Sequence, residues 1–324
     1  MSADPSHAFA SLFGEKAVED AAAWNQRRTE LLQSWRKHLG AFPAEKPPLQ
    51  TEIIATEQCE GFRRQLIRYQ VEDGIFTNAY LLTPSPPAQQ YPAVVAFHQT
   101  TRSNIKQVAG VDASIEELMQ GVHLVRRGYV VLCPRCFIFE DDAYEAVGFA
   151  RNAALMRERH PDWTGMTRMT WDAIRAVDLL ESLPLVDRGR IGCIGHSLGA
   201  REALYGAAFD ERYRAAVFNE GGINLRTSKW YPPWYLGDDA RRPDYPLEHH
   251  QLLALISPRA FLLLAGNSID TDESRALVEA ARPVYRLLGA EGNLAWQNHH
   301  AGHRYPPEAR TIAEAFLDLH LKAH

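Results

Sequence analysis

The chain has 324 residues, 46% of them hydrophobic and 23% charged, with a formal net charge of -5. This is an ordinary globular composition, long enough for a substantial core, and the length allows two domains or one large α/β unit. The mild acidity argues against a nucleic-acid partner, whose backbone needs a basic face, and there is no polybasic patch for a membrane surface.

Met1 to His7 shows neither a basic n-region nor an apolar h-region, so no secretory signal is expected. No apolar stretch approaches the length of a membrane span. Residues 8–39 carry apolar positions at helical spacing: Phe9, Leu12, Phe13, Trp24, Leu31, Leu32, Trp35 and Leu39. Gly40, Pro43, Pro47 and Pro48 end that pattern. Residues 1–60 are therefore expected to form a helical N-terminal extension packed on a main domain spanning 61–324. The extension is too small to be a stable domain of its own.

From Gly61 the period changes to two. Phe62, Leu66, Tyr69 and Val71 predict a strand, and Phe76 to Leu82 its hairpin partner across Glu72-Asp73-Gly74. After a linker containing Pro84, Pro86 and Pro87 come short, nearly continuous apolar runs: Ala93–Phe97, Tyr129–Cys133, Ile191–Ile194, Ala215–Phe218 and Ala260–Ala265. Leu294–Gln297 is a weaker sixth. Runs apolar on both faces suit a parallel sheet covered by helices. Helical patterns at 114–127, 167–183, 198–208, 272–288 and 307–322 alternate with these runs, as in a doubly wound α/β fold. Segments 135–166 and 222–250 break the alternation and read as lid-like insertions. There is no internal repeat.

The cysteines are Cys59, Cys133, Cys136 and Cys193. Cys133 and Cys193 fall within strand-like runs. The CxxC spacing of Cys133 and Cys136 has no second pair and no flanking redox helix, so neither a zinc site nor a redox motif is expected. A reducing cytoplasm is the expected compartment.

Gly195-His196-Ser197-Leu198-Gly199 matches G-x-S-x-G, directly after the strand Ile191–Ile194 and directly before the helix from Leu198. Such a turn holds its serine in a strained backbone conformation that bulky neighbours would obstruct, and flanking glycines relieve the crowding. Ser197 is thus the candidate nucleophile. The Leu198 N–H, at the positive end of the following helix, is a candidate oxyanion donor.

With the elbow placed, Ala93 to Thr101 resembles the strand and oxyanion-loop segment of α/β-hydrolases in the dienelactone hydrolase and acetyl xylan esterase group. Arg127 to Pro134, Asp187 to Gly192 and Gly302 to Pro306 resemble the next strand, the lead into the elbow and the catalytic-histidine segment of those enzymes. The resemblance covers roughly residues 60–324. It implies the α/β-hydrolase fold, a mostly parallel sheet with helices on both faces, and a Ser-acid-His triad. Dienelactone hydrolases proper use a cysteine nucleophile, so Ser197 departs from them and points to ordinary ester hydrolysis.

The base should follow the acid in the chain. His303 sits after Gly302 and between the last strand and last helix, which makes it the candidate base. His299, His300 and His303 could suggest a metal, but no helix is evident there and no Glu completes a zincin motif, so no metal is expected. No cofactor is expected either. Asp270, in the loop after Ala260–Ala265, is the expected acid, with Asp272 suited to a helix cap. Glu220, after the preceding strand, is a third candidate, because glucuronoyl esterases, which look like distant relatives, place their acid there. The Gln99 N–H is the expected second oxyanion donor, and His98 could be a support histidine. Trp230 and Trp234, in the aromatic cluster Trp230 to Tyr235, are expected to bind substrate or to pack a lid.

These residues predict a serine hydrolase that cleaves carboxylic esters, acetyl or sugar esters among them, through an acyl-enzyme. The competing readings are a peptidase or acyltransferase on the same triad, and a non-catalytic binding protein on a hydrolase scaffold. The expected partner is a small-molecule ester, with no nucleic acid and no membrane.

Overall fold

The computed structural model describes Leu12 and residues 20–86, 90–142 and 146–322. Phe9 and Phe13 of the expected first helix lie outside those residues. The helix α1 (Ala21–Leu39) starts at Asp20, whose side chain accepts from the Ala23 N–H at 2.8 Å. It stops at Gly40, where φ is +89° and a Cβ would stand 2.7 Å from the Asp162 carbonyl oxygen. Only glycine fits both the left-handed conformation and the close approach.

Among the described residues, nine strands form one sheet: β1 (Glu52–Cys59), β2 (Phe62–Glu72), β3 (Ile75–Pro84), β4 (Tyr91–Phe97), β5 (Val130–Pro134), β6 (Val186–His196), β7 (Tyr213–Asn219), β8 (Ala260–Ala265) and β9 (Leu294–Asn298). Their spatial order is β1-β2-β3-β5-β4-β6-β7-β8-β9. Strands β5, β4, β6, β7, β8 and β9 run parallel, and the meander β1-β2-β3 joins antiparallel at β5. The parallel strands β4, β5 and β8 are buried almost end to end, as their unbroken apolar runs require.

The helices are α2 (Ile105–Val108), α3 (Gln120–Arg126), α4 (Ala146–Arg159), α5 (Gly165–Ser182), α6 (Leu198–Phe209), α7 (His249–Ile256), α8 (Arg275–Leu287) and α9 (Pro307–Leu321). One apolar core joins α1, α5, α6, α7 and α8 to one face of the sheet. A second joins α2, α3 and α9 to the other. No helix among the described residues is long and apolar enough to cross a membrane.

Two differences from the sequence reading have a clear cause. Glu52–Cys59 is a strand, so the boundary expected at 60 cuts the first hairpin; its side chains are nearly all exposed, and an exposed strand shows no alternation. The helix expected over 114–127 is shortened to α3 after a single 3₁₀ turn at Glu116–Leu118.

The extension is part of the main core. Trp35 is fully buried, with its ring 6.1 Å from the His249 ring and edge-on to Tyr205 at 5.8 Å. Trp35→Ala should therefore cost roughly 3–5 kcal/mol of stability, read as a lowered denaturant midpoint at unchanged slope.

Candidate active site

The functional side chains come from loops at the carboxyl ends of the parallel strands, where this class of sheet presents its ligands. Ser197 links β6 to α6 with φ +57° and ψ -116°, a conformation L-residues rarely adopt. Its N–H donates to the Asn219 carbonyl at 2.9 Å. A Cβ on Gly195 would stand 2.1 Å from the Gly199 carbonyl carbon, and one on Gly199 would stand 2.2 Å from the Phe97 carbonyl oxygen. The two glycines of the motif thus let the turn close on itself and let α6 start against the end of β4.

His303 Nε2 lies 3.0 Å from Ser197 Oγ. Its Nδ1 lies 3.2 Å from Glu220 Oε2. Glu220 follows β7 directly, with φ +50° and no exposed surface. Its carboxylate accepts from the N–H groups of Gly266 at 2.5 Å, Ile269 at 2.9 Å and Asp270 at 3.3 Å. Burial works to raise its pKa, but the hydrogen bonds from His303, Ile269 and Gly266 outweigh that and hold the carboxyl below its usual range. The acid facing the histidine is therefore ionised.

Asp270, the acid expected from the sequence, does not contact His303, and that expectation is corrected. Its carboxylate instead accepts from the N–H groups of Gly222 and Ile223, both at 2.7 Å, and from Ser274 Oγ at 3.1 Å. Burial pushes its pKa up to about 6, against the pull of those N–H groups. Asp270 ties the loop after β8 to the loop after β7. Asp272 instead accepts from Asn298 Nδ2 at 2.6 Å, and Thr271 caps the turn at Asp272–Ser274.

His196 lies beside the Ser197–His303 pair, its ring centroid 4.7 Å from that of His303. Asn219 Nδ2 is 2.7 Å from its Nδ1, and burial lowers its pKa to about 3, so it stays neutral. The same Asn219 amide donates to the Arg304 carbonyl at 2.9 Å, anchoring the chain just after His303. The sequence reading missed Asn219; its one signal is its place immediately before Glu220. His299 Nδ1 accepts from the Ala301 N–H at 3.1 Å and His300 Nδ1 meets Asn267 Nδ2 at 2.8 Å, so the three late histidines face different partners.

Leu198 is the first residue of α6, and its N–H has no partner within the helix. His98 is fixed by its Nδ1 on the Gln99 carbonyl at 2.8 Å and by the Cys136 N–H on its Nε2 at 3.1 Å. It acts as a support for the Gln99 segment. Burial takes the His98 pKa down to about 4, so it provides that support as a neutral ring.

The aromatic cluster packs inward. Trp230 is 3% exposed and donates from Nε1 to the Gly222 carbonyl at 2.7 Å. Its ring lies 4.4 Å from the Arg201 guanidinium, and Arg201 Nε donates to the Gly221 carbonyl at 2.8 Å. Trp234 stacks on Tyr235 at 3.7 Å and meets Phe137 edge-on at 6.1 Å. Of the two expectations for Trp230, substrate binding or lid packing, its near-complete burial favours packing. Trp234 is half-buried within the same contacts.

Residues 77–229 match the model of the dienelactone hydrolase family. The chain has the α/β-hydrolase fold. The chain is 23% identical to a 4-O-methyl-glucuronoyl methylesterase of Cerrena unicolor, over 94% of the chain and 67% of that protein. It is 22% identical to one of Hypocrea jecorina, over 74% of the chain and 54% of that protein. Its fold superposes on a glucuronoyl esterase from Solibacter usitatus with TM-score 0.79 at 20% identity, over 97% of this chain and 98% of the other.

The two carboxylates should separate on mutation. Glu220→Gln should lower kcat by about four orders of magnitude, as loss of the equivalent carboxylate does in serine proteases. Asp270→Asn should keep kcat within about tenfold while costing roughly 1–3 kcal/mol of stability from an unpaired N–H. Steady-state kinetics beside thermal melts distinguish them. Trp230→Ala should lower the melting temperature, at a cost of about 3–5 kcal/mol.

Proposed function

We propose that this chain is a carboxylic-ester hydrolase that cleaves an ester of a sugar acid through Ser197, His303 and Glu220. The observation that carries the reading is the unbroken relay from Ser197 Oγ through the two ring nitrogens of His303 to the ionised Glu220. Ser197 Oγ attacks the acyl carbonyl as His303 Nε2 takes its proton. Glu220 fixes the tautomer that leaves Nε2 free to accept and stabilises the imidazolium that forms. The N–H groups of Leu198 and Gln99 hold the oxyanion. Collapse expels the alcohol with the proton returned from His303, and water then releases the acid by the same route.

The sugar-acid ester draws support from the relatives, named for glucuronoyl methyl esters, that align with up to 94% of the chain. The four cysteines, all free thiols, suit the reducing cytoplasm proposed as its compartment.

The test sets a methyl or benzyl ester of glucuronic acid against p-nitrophenyl acetate and acetylated xylo-oligosaccharides. The uronate ester should give the highest kcat/KM. Ser197→Ala should lower kcat by about six orders of magnitude on every ester and abolish fluorophosphonate labelling, with circular dichroism unchanged. Preference for acetyl esters would overturn the acyl assignment, and turnover by the alanine variant would overturn the nucleophile.

A further inference from the structure

A cavity of about 620 Å³ lies away from Ser197. Pro43, Pro47, Pro48, Ile75 and the edge of Trp171 give it apolar walls, and Glu45, Asp73, Arg159 and His160 open onto it. Its position follows from strand register. Ala79 of β3 stands opposite Pro134, the last residue of β5, so Ile75 and the β2–β3 turn project past the carboxyl edge of the parallel strands. Ser197 leaves that same edge from β6. In the order β2-β3-β5-β4-β6, β3 is three strands from β6 and β2 is four. At about 4.8 Å per strand, that places the cavity roughly 15–20 Å from the nucleophile along one edge of the sheet.

The walls are firmly built. Arg175 donates to the Pro47 carbonyl at 2.6 Å and to the Gln70 carbonyl at 3.2 Å, holding the proline segment to β2. Glu72, at the back, is occupied by Arg168 at 2.5 Å and by His160, whose ring stacks on Trp163 at 3.9 Å. Lys46 is taken by Asp178 at 2.8 Å. What remains without an ion-pair partner among the described residues is two carboxylates, Glu45 and Asp73, and one guanidinium, Arg159. Planar acceptors beside a planar donor suit a ligand that both donates and accepts, as vicinal hydroxyls do. The charged lining sums to one more acid than base, with Glu45, Glu72 and Asp73 against Lys46 and Arg159, so an anion is disfavoured.

We propose that this cavity is a distal subsite for neutral sugar units of a glycan whose acidic branch or end presents the ester to Ser197. The inference rests on the sugar-acid reading of the catalytic site. The separation corresponds to a few sugar residues, so one chain can lie along the edge and occupy both places. Binding remote from the reacting bond then favours polymeric esters over small ones.

The test uses the full chain with Asp73→Ala and Arg159→Ala combined, and Glu45→Ala as a second variant. Binding is read first, on Ser197→Ala protein, by titration with neutral xylo-, manno- and cello-oligosaccharides. At least one series should bind, with at least a tenfold weaker Kd in the double variant. Kinetics follow: kcat/KM on polymer-borne ester should fall about tenfold while that on the methyl uronate ester is unchanged. Failure of all neutral glycans to bind overturns the subsite, as does equal binding by wild type and both variants, or binding only to cationic peptides. If oligosaccharides bind here but no uronate ester is hydrolysed, the subsite stands and the catalytic reading falls.

Discussion

The Glu220 carboxylate joins the loops that leave β7, β8 and β9. One oxygen faces His303, and the N–H groups of Gly266, Ile269 and Asp270 converge on the pair. A buried carboxylate without such donors would take up a proton or shift the backbone that holds it. Here the charge is stabilised by the same N–H groups that fix the loop after β8. Asp270 returns the tie, accepting from Gly222 and Ile223 on the Glu220 side. The two acids are therefore not interchangeable. One faces the base, and the other sets the shape of the segment that presents it.

This division explains what the sequence could and could not reveal. The elbow was legible because its requirements are local: a strand, two small residues and a helix, contiguous in the chain. His303 was legible from chain order and a glycine-proline frame. The acid was not, because strand ends β7 and β8 each carry a carboxylate at an acceptable place. Choosing between them needs the side-chain direction, which a positive φ at Glu220 sets. Nothing in the string Asn219-Glu220-Gly221-Gly222 announces a left-handed glutamate. The alternation of runs and helical patterns located the parallel sheet, whereas β1 escaped because burial, the source of any periodic signal, is missing from it.

The aromatic insertion was ambiguous for a related reason. Composition shows that Trp230 to Tyr235 is rich in rings, but not which way they face. Arg201, one helical turn beyond Ser197, supplies the missing constraint. Its guanidinium lies against Trp230 and Tyr235 and donates to backbone carbonyls of Gly221 and Lys229. The insertion is thereby fastened to α6, the helix that starts at Leu198. The Gly165 and Met166 N–H groups add a second fastening, donating to the Trp234 and Tyr235 carbonyls at 2.7 and 2.9 Å.

The outermost strand β1 has its own consequence. It is paired on one side only and has nearly all its side chains in solvent, including Ile53 and Ile54. Its free flank is a row of amide donors and carbonyl acceptors that another extended chain could adopt as a template. A register irregularity between Ile53 and Ala55 interrupts that row, and Glu52 places negative charge at its start. A kink and repelling charges discourage two such edges from zipping together. The strand that contributes least to the interior thus carries its own device against edge-to-edge association.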